Sequence, residues 1–139
     1  MTDQSRRNFI EKATILGIGS ITMPIAHSFN QNEKTLVHHV FFWLKQPGST
    51  VDRLKLVEGL ETLKAIPTIQ QLHIGFPAST EKRDVVDNSW DVSELMFFAD
   101  LEGQKIYQDH PIHQEFVKNY SHLWAKVLVY DMGIHVTAK

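Results

Sequence analysis

The sequence predicts one α+β domain, in which a four-stranded antiparallel sheet carries its helices on one face. Apolar patterns along the chain come in the order strand, helix, strand, strand, helix, strand, which is a split βαβ arrangement. A length of 139 residues suits one such domain and is too short for two. Hydrophobic residues make up 42% of the chain, which is enough to bury a core.

The first strand and the first helix are predicted from apolar runs that end at clear signals. Residues 36–44 are mainly apolar and aromatic, and a Gln-Pro-Gly turn at residues 46–48 closes them, so they form a buried strand. Ser49 or Thr50 then caps a helix with an apolar residue at every third position. Because proline cannot continue a helix, Pro67 forces its end.

The rest of the domain is predicted in the same way. Three further strands are predicted at residues 69–76, 90–98 and 126–136. The charged stretch at residues 78–89 is a loop. Asp100 caps a second helical region that runs toward Trp124, and His110-Pro111 divides this region into two pieces or kinks it.

The first strand carries bulky apolar side chains on both of its faces. Val40, Phe42 and Leu44 lie in one alternating set, and Phe41 and Trp43 lie in the other. Helices on one side cover only one set, so the other set needs a second cover. We expect a homodimer in which two sheets pack face to face into a barrel that encloses a solid core or a ligand cavity. The alternative is a monomer whose own loops bury the second set.

Composition and motif searches exclude several classes of function. A formal net charge of −2 without a Lys/Arg cluster argues against nucleic acid as a partner. The absence of cysteine removes disulfides, thiolate nucleophiles and Fe–S clusters. The sequence has no phosphate loop, no serine-hydrolase elbow and no zincin motif, and we predict no cofactor. Eight histidines make imidazole the first candidate for chemistry.

The first residues have the features of an export signal. Arg6 and Arg7 precede Phe9 and Ile10, and a weakly polar run at residues 13–26 follows. This arrangement resembles a bacterial twin-arginine signal, which implies a periplasmic or other extracytoplasmic location; the alternative is an ordinary amphipathic helix. The run is shorter than the roughly 20 apolar residues that a bilayer requires, so no permanent membrane span is predicted. The predicted divisions are a signal at residues 1–28, a linker at residues 29–34 and the folded domain at residues 35–139.

Several short motifs together resemble one known family. They are His39, Ile66-Pro67, Gly75, Trp90-Asp91, Tyr107, His110-Pro111-Ile112-His113, Phe116-Val117 and Tyr130-Asp131. From about Leu36 to Ile134 the chain looks like the stress-responsive α/β barrel, or Dabb, domain. The resemblance implies a dimeric, ferredoxin-like α+β barrel with a pocket between helices and sheet in each protomer. It implies no single activity, since the family includes proteins of unassigned role, stress-associated assemblies and a plant polyketide cyclase that closes an aromatic ring by aldol condensation.

The strongest candidates for a functional site are Tyr107, His110, His113 and His39. The first three are spaced three residues apart, so on a helical segment they lie along one side and converge on one cavity. A neutral His113 can act as general base, and Tyr107 can hold or protonate an enolate oxygen. Only one of His38 and His39 can face the cavity, and we expect it to be His39. The resemblance implies the same catalytic pair, because Tyr107 and His113 match the Tyr and the second His that the cyclase uses.

Three other interpretations of these residues are ligand binding without turnover, a structural role and a metal site. The ligand-binding candidates are His39, His110, Phe41 and Trp90. In a purely structural role, His110 caps a helix that starts at Pro111, and His113 bonds a neighbouring strand or a backbone carbonyl. A metal would need more than the His-x-x-His pair, because zinc catalysts use about three protein ligands, so His39, Asp91 or a partner-chain group would have to complete the site. We predict no metal.

Two functions from different classes follow from these observations. The first is an exported dimer that binds a small apolar or aromatic molecule in its barrel and has an unassigned, stress-related role. The second is a cofactor-independent lyase, cyclase or isomerase that acts on a carbonyl compound, with His113 as base and Tyr107 as oxyanion donor. A related fold also serves small monooxygenases that act on quinols or haem, which is a third and weaker alternative.

Overall fold

The computed structural model describes residues 35–135, which form a four-stranded sheet and three α-helices. The elements are β1 (Leu36–Leu44), α1 (Thr50–Thr62), β2 (Gln71–Gly75), β3 (Val92–Phe98), α2 (Leu101–Asp109), α3 (Pro111–Tyr120) and β4 (Trp124–Gly133). Short 3₁₀ turns follow α1 at Leu63–Ala65 and α3 at Ser121–Leu123. None of these helices is long and apolar enough to cross a membrane. The predicted signal at residues 1–28 and linker at residues 29–34 lie outside the described residues.

The four strands form one antiparallel sheet in the order β2-β3-β1-β4. β1 is central: Val40 lies opposite Glu94 of β3 on one side and opposite Val129 of β4 on the other. At the β2 edge, Ile74 also lies opposite Glu94. This strand order and the helices packed against the buried face define a ferredoxin-like fold, which confirms the predicted fold class.

The helices begin at the predicted capping residues. Ser49 and Asp100 accept hydrogen bonds through their side chains from backbone N–H groups three residues further on, at 3.2 and 2.7 Å. His110 ends α2 and also caps α3, since its Nδ1 accepts a hydrogen bond from the Ile112 N–H at 3.1 Å. Pro111 follows in the first turn of α3, where it needs no N–H. The second helical region is therefore two helices divided at His110-Pro111, as predicted.

The core lies between the sheet and the helices. Its members are Leu36, Val40, Phe42, Leu44, Leu56, Leu60, Leu63, Ile66, Val92, Met96, Phe98, Tyr107, Phe116 and Leu123. On α1 the buried side chains include Leu56 and Leu60, whereas Val51 and Leu54 are 75% and 59% exposed. The three-residue apolar repeat that predicts this helix marks its buried face only in part. Leu60 belongs to the repeat and is buried, but a repeat of three drifts around a helix that turns once in about 3.6 residues.

Asp91, just before β3, ties the end of β1 to the start of α1. Its Oδ2 accepts a hydrogen bond from the Leu44 N–H at 2.9 Å, and its Oδ1 accepts one from the Gly48 N–H at 3.0 Å. Arg53 of α1 lies 3.7 Å from the same Oδ1. Gly48 has a φ of 76°, a left-handed conformation that costs glycine no steric strain. Asp91 therefore holds the turn between β1 and α1.

The face of the sheet away from the helices, called the open face below, carries a second row of apolar residues. These are Val37, Phe41 and Trp43 of β1, Leu95 and Phe97 of β3, and Leu128, Tyr130 and Met132 of β4. The loop before β3 covers one end of the row, where the rings of Trp90 and Phe41 lie 5.2 Å apart. At β4, Tyr130 and Met132 are 61% and 55% exposed. The loops among the described residues thus cover only part of the open face.

Candidate functional site

A histidine–carboxylate pair lies on the helix-covered side of the sheet. His38 of β1 and Asp131 of β4 are register partners. The His38 Nδ1–H donates a hydrogen bond to Asp131 Oδ1 at 2.6 Å. The His38 side chain is 7% exposed and the Asp131 side chain 50%, so the pair runs from the interior toward solvent. The bond fixes the orientation of the His38 ring and leaves Nε2 as its other polar atom.

Tyr107 of α2 lies over His38. The two rings are 5.6 Å apart, and the Phe98 ring is 5.3 Å from Tyr107. Tyr107 is 1% exposed. Burial is the main cause that raises the pKa of its phenol above the ordinary range, and the carboxyl groups of Glu94 and Asp131 raise it further. Tyr107 therefore stays protonated at neutral pH and can act as a hydrogen-bond or proton donor.

His113 of α3 also lies against Tyr107. Its ring lies 4.7 Å from the Tyr107 ring. The His113 Nδ1–H donates a hydrogen bond to the Gln108 carbonyl at 3.0 Å, so in the neutral ring Nε2 carries the lone pair. Burial lowers the pKa of His113; the hydrogen bond to Gln108 opposes this shift and His38 adds to it. At neutral pH the result is a neutral imidazole whose Nε2 has no hydrogen-bond partner within residues 35–135.

His39 does not share this interior with Tyr107. It lies on the open face, where its Nε2 is 2.8 Å from Ser93 Oγ and its ring is 4.2 Å from the Phe41 ring. The expectation that His39 supplies the third polar group beside Tyr107 is therefore not met, and His38 occupies that place. The physical reason is the alternation of β1, in which His38 shares a face with Val40 and the other core residues.

The remaining candidates lie at two other places. His110 caps α3 and lines a surface cleft of about 740 Å³ at the junction of α2 and α3, with Leu101, Glu102, Lys105, Ile106, Asp109 and Pro111. Phe41 and Trp90 pack on each other at the open face, near His39. The structure thus brings Tyr107 and His113 together, as the spacing predicts, and places the four ligand-binding candidates outside that cluster.

Sequence reasoning missed three members of the interior cluster: His38, Glu94 and Asp131. Glu94 of β3 is 2% exposed, and its Oε2 is buried with no hydrogen-bond partner among the described residues. Burial raises the pKa of its carboxyl group to about 8. The sequence does contain a signal for a buried polar residue at this position. Glu94 interrupts the alternating apolar set of Val92, Met96 and Phe98 in β3.

The side chains of the interior cluster do not form a metal site with His110, His39 or Asp91. Within residues 35–135, no group of three or more His, Asp or Glu side chains is arranged to hold a metal ion. His110 uses Nδ1 as a helix cap, and Asp91 uses both carboxylate oxygens on backbone N–H groups. His39 lies across the sheet from His113, so it cannot join the His-x-x-His pair as a third ligand.

The fold and this interior cluster define a ferredoxin-like α+β protein with a polar site between sheet and helices. The model of the stress responsive A/B barrel domain, Dabb, matches residues 36–134, so the chain belongs to the Dabb family. No functionally curated protein matches the chain.

Solved structures show the same fold. A Dabb family protein from Mesorhizobium loti is 24% identical, with a TM-score of 0.59, and the match covers 72% of this chain and 96% of that one. A hydroxynitrile lyase from Passiflora edulis is 18% identical, with a TM-score of 0.63 and coverage of 77% and 99%. A dimeric ferredoxin-like protein of unknown function from Thermobifida fusca is 16% identical, with a TM-score of 0.59 and coverage of 74% and 93%. Likeness at this identity concerns the fold alone.

Proposed function

We propose that the protein binds a small apolar or aromatic molecule with an oxygen function, in the interior between the sheet and helices α2 and α3. The observation that carries this proposal is Tyr107, buried in the core with the His38 ring at 5.6 Å and the His113 ring at 4.7 Å. Burying polar groups costs free energy that apolar residues of similar size would not cost. A cluster of this kind is therefore better explained by a ligand than by stability.

The surroundings of the cluster indicate the chemistry of the ligand. Phe98 packs against Tyr107, and Met96 lies opposite His38 in the sheet, so the body of the ligand contacts apolar side chains. The protonated phenol of Tyr107 is a donor for one ligand oxygen. An aryl ketone or aldehyde has both features.

Calorimetric titration with acetophenone tests this proposal. Tyr107→Phe removes only the donor hydroxyl, and we expect it to weaken binding about tenfold, since a buried hydrogen bond contributes about 1 kcal/mol or slightly more. His122, in the 3₁₀ turn after α3, is exposed, so His122→Ala serves as a control that keeps wild-type affinity. Equal affinities in the wild type and Tyr107→Phe would contradict the proposed site.

A second candidate function is cofactor-independent proton transfer on the same ligand. It is favoured by His113, whose hydrogen bond to Gln108 leaves the lone pair on Nε2 and whose ring lies 4.7 Å from the Tyr107 ring. In this step His113 Nε2 takes a proton from the carbon next to the carbonyl, and the C–H electron pair moves into the enolate. Tyr107 donates a hydrogen bond to the enolate oxygen, and return of a proton from His113 completes the cycle. The same pair of groups suits a lyase, the class of enzyme named for the Passiflora edulis neighbour.

Exchange of the methyl protons of acetophenone in D₂O separates binding from turnover. If the protein is an enzyme of this type, proton NMR shows exchange that His113→Ala abolishes while its affinity for acetophenone stays within about threefold of wild type. The rate falls as the pH drops through the pKa of His113, which burial holds below its ordinary value. Binding without exchange above the buffer rate would leave the protein as a binding protein.

We also propose that two copies of the chain pack open face to open face. The uncovered apolar row supports this arrangement, with Tyr130 and Met132 more than half exposed. The names of the Thermobifida fusca and Bacteroides fragilis neighbours describe those proteins as dimeric. Light scattering on the purified protein is expected to give twice the chain mass, and a monomer at micromolar concentration would contradict the proposal.

We also propose that the protein is exported through a twin-arginine signal. The order of Arg6, Arg7, Phe9 and Ile10 before the weakly polar run at residues 13–26 supports a twin-arginine signal within residues 1–28. We therefore expect the folded domain in the periplasm. Replacement of both arginines by lysine is expected to retain the protein in the cytoplasm, as measured by cell fractionation, and undiminished periplasmic protein would overturn this assignment.

A further inference from the structure

Glu94 lies on the helix-covered side of the sheet and has no part in the function proposed above. It stands between Val40 of β1 and Ile74 of β2, both on its own face of the sheet. Its Oε2 is buried and has no hydrogen-bond partner among the described residues. An unpartnered buried polar atom is costly, so it marks a position where a partner is missing.

The position of Glu94 relates it directly to the Tyr107 cluster. Val40, its partner across the strands, is two residues from His38 on the same face of β1, so Glu94 and His38 are diagonal neighbours on that face. The carboxyl group is also close enough for its charge to raise the pKa of Tyr107. A molecule that binds beside Tyr107 and extends along the sheet past Val40 therefore meets Glu94.

We propose that Glu94 is the inner polar contact of the bound molecule, and that its carboxylic acid O–H donates a hydrogen bond to a second ligand oxygen. This inference rests on the proposed binding function and specifies its ligand. One oxygen is the carbonyl at Tyr107, and the other is an acceptor such as an ether at the opposite end. Val40 lies opposite Glu94 and two residues from His38 on the same face, so the part of the ligand between the two oxygens is apolar.

The protonation of Glu94 fits this role. Burial raises its pKa to about 8, so at pH 6 it is the neutral donor. The titratable groups around the same interior are His38 of β1, Tyr107 of α2, His113 of α3 and Asp131 of β4. On α1, Arg53 lies beside Asp91, and the buried residues of that helix are apolar or glycine.

Two ketones of equal size provide the test. In 4-methoxyacetophenone an ether oxygen replaces the CH₂ group of 4-ethylacetophenone, so the two probes differ in one acceptor. At pH 6 the wild-type protein is expected to bind the methoxy ketone about tenfold more tightly than the ethyl ketone. Glu94→Leu is expected to remove or reverse this preference. Glu94→Gln keeps it, because the amide N–H is also a donor.

The pH dependence of the preference distinguishes the acid from its anion. At pH 9.5 the wild-type carboxyl group is ionised and can only accept, so the preference for the methoxy ketone is expected to disappear. In Glu94→Gln it persists at both pH values, and this variant also controls for any loss of folding in Glu94→Leu.

The results distinguish the Glu94 contact from the proposed ligand-binding function. If both ketones bind the wild type equally, with affinities that Tyr107→Phe weakens, the Glu94 contact is overturned and the proposed function stands. If neither ketone binds the wild type, both fall. A preference for the methoxy ketone that persists in Glu94→Leu would overturn the inference, because a group other than Glu94 must then contact the second oxygen.

Discussion

The two faces of the sheet differ in the kind of residue whose surroundings are unfavourable. On the face covered by the helices, the groups out of place are polar: His38 and Glu94 are 5% and 2% exposed within an apolar core. On the open face, the groups out of place are apolar, and Tyr130 and Met132 remain more than half exposed. Both departures cost free energy in an isolated domain.

Each departure supports a different proposal. The buried Glu94 Oε2, which has no hydrogen-bond partner among the described residues, supports the proposed ligand site, whereas the exposed apolar row supports the proposed dimer interface. His38 and His39 are adjacent in sequence, yet one contributes to the proposed ligand site and the other lies at the proposed dimer interface.

A charged residue on the open face is expected to have the strongest effect of the substitutions proposed below. Phe97 lies in its apolar row, opposite Val37. Phe97→Asp places a charge where we expect apolar packing, and such a charge costs several kcal/mol, so the dissociation constant of the dimer should rise by at least about a hundredfold. Sedimentation equilibrium measures this. Val51→Asp, at a site on α1 that is 75% exposed, should leave the dimer intact. A dimer unaffected by Phe97→Asp would move the interface elsewhere.

The next effect concerns stability at the covered face. The carboxyl pKa of Glu94 is raised from 4.5 to about 8, so between these values the unfolded chain loses a proton that the folded chain retains. The contribution of Glu94 to stability is therefore full below about pH 4.5 and is lost as the pH rises through about 8. We expect a fall of a few kcal/mol in the free energy of unfolding, measured by urea denaturation at several pH values.

Glu94→Gln is the control for that prediction, because an amide does not titrate. The difference between the free energies of unfolding of Glu94→Gln and wild type should grow with pH across this window. A difference that stays constant with pH would mean that folding does not raise the pKa of the Glu94 carboxyl group.

The smallest expected effect distinguishes the adjacent histidines. His38→Ala removes a group beside Tyr107 and should weaken acetophenone binding about tenfold. His39→Ala removes a hydrogen bond to Ser93 on the open face and should leave that affinity within about twofold. The reverse order of effects, measured by calorimetry, would place the ligand on the open face.

Most of the fold could be predicted from the sequence, since the signals that define it are local. Ser49, Asp100 and His110-Pro111 mark helix starts by their own chemistry, and the structure has caps at each of them. The spacing of Tyr107 and His113 likewise predicts their meeting, although a helix junction and not one continuous helix brings them together.

The side of the sheet that each β1 residue faces could not be predicted in this way. Both alternating sets of β1 are apolar, so periodicity alone does not tell which set the helices cover. Which set the helices cover depends on contacts with elements distant in sequence. The same contacts determine whether His38 or His39 lies beside Tyr107. Asp131 joins His38 from a strand 93 residues further along the chain, and no local pattern carries that pairing.

An NMR titration of protein labelled with ¹⁵N at its eight histidines tests directly whether the ligand binds between the sheet and the helices. Acetophenone is added at pH 6.5, and the imidazole signals are assigned with single His→Ala variants. We expect the signals of His38 and His113 to shift together with one saturable affinity, and those of His39 and His122 to stay in place. Shifts confined to His39, or no saturable shift at His38 and His113, would contradict a ligand site between the sheet and the helices.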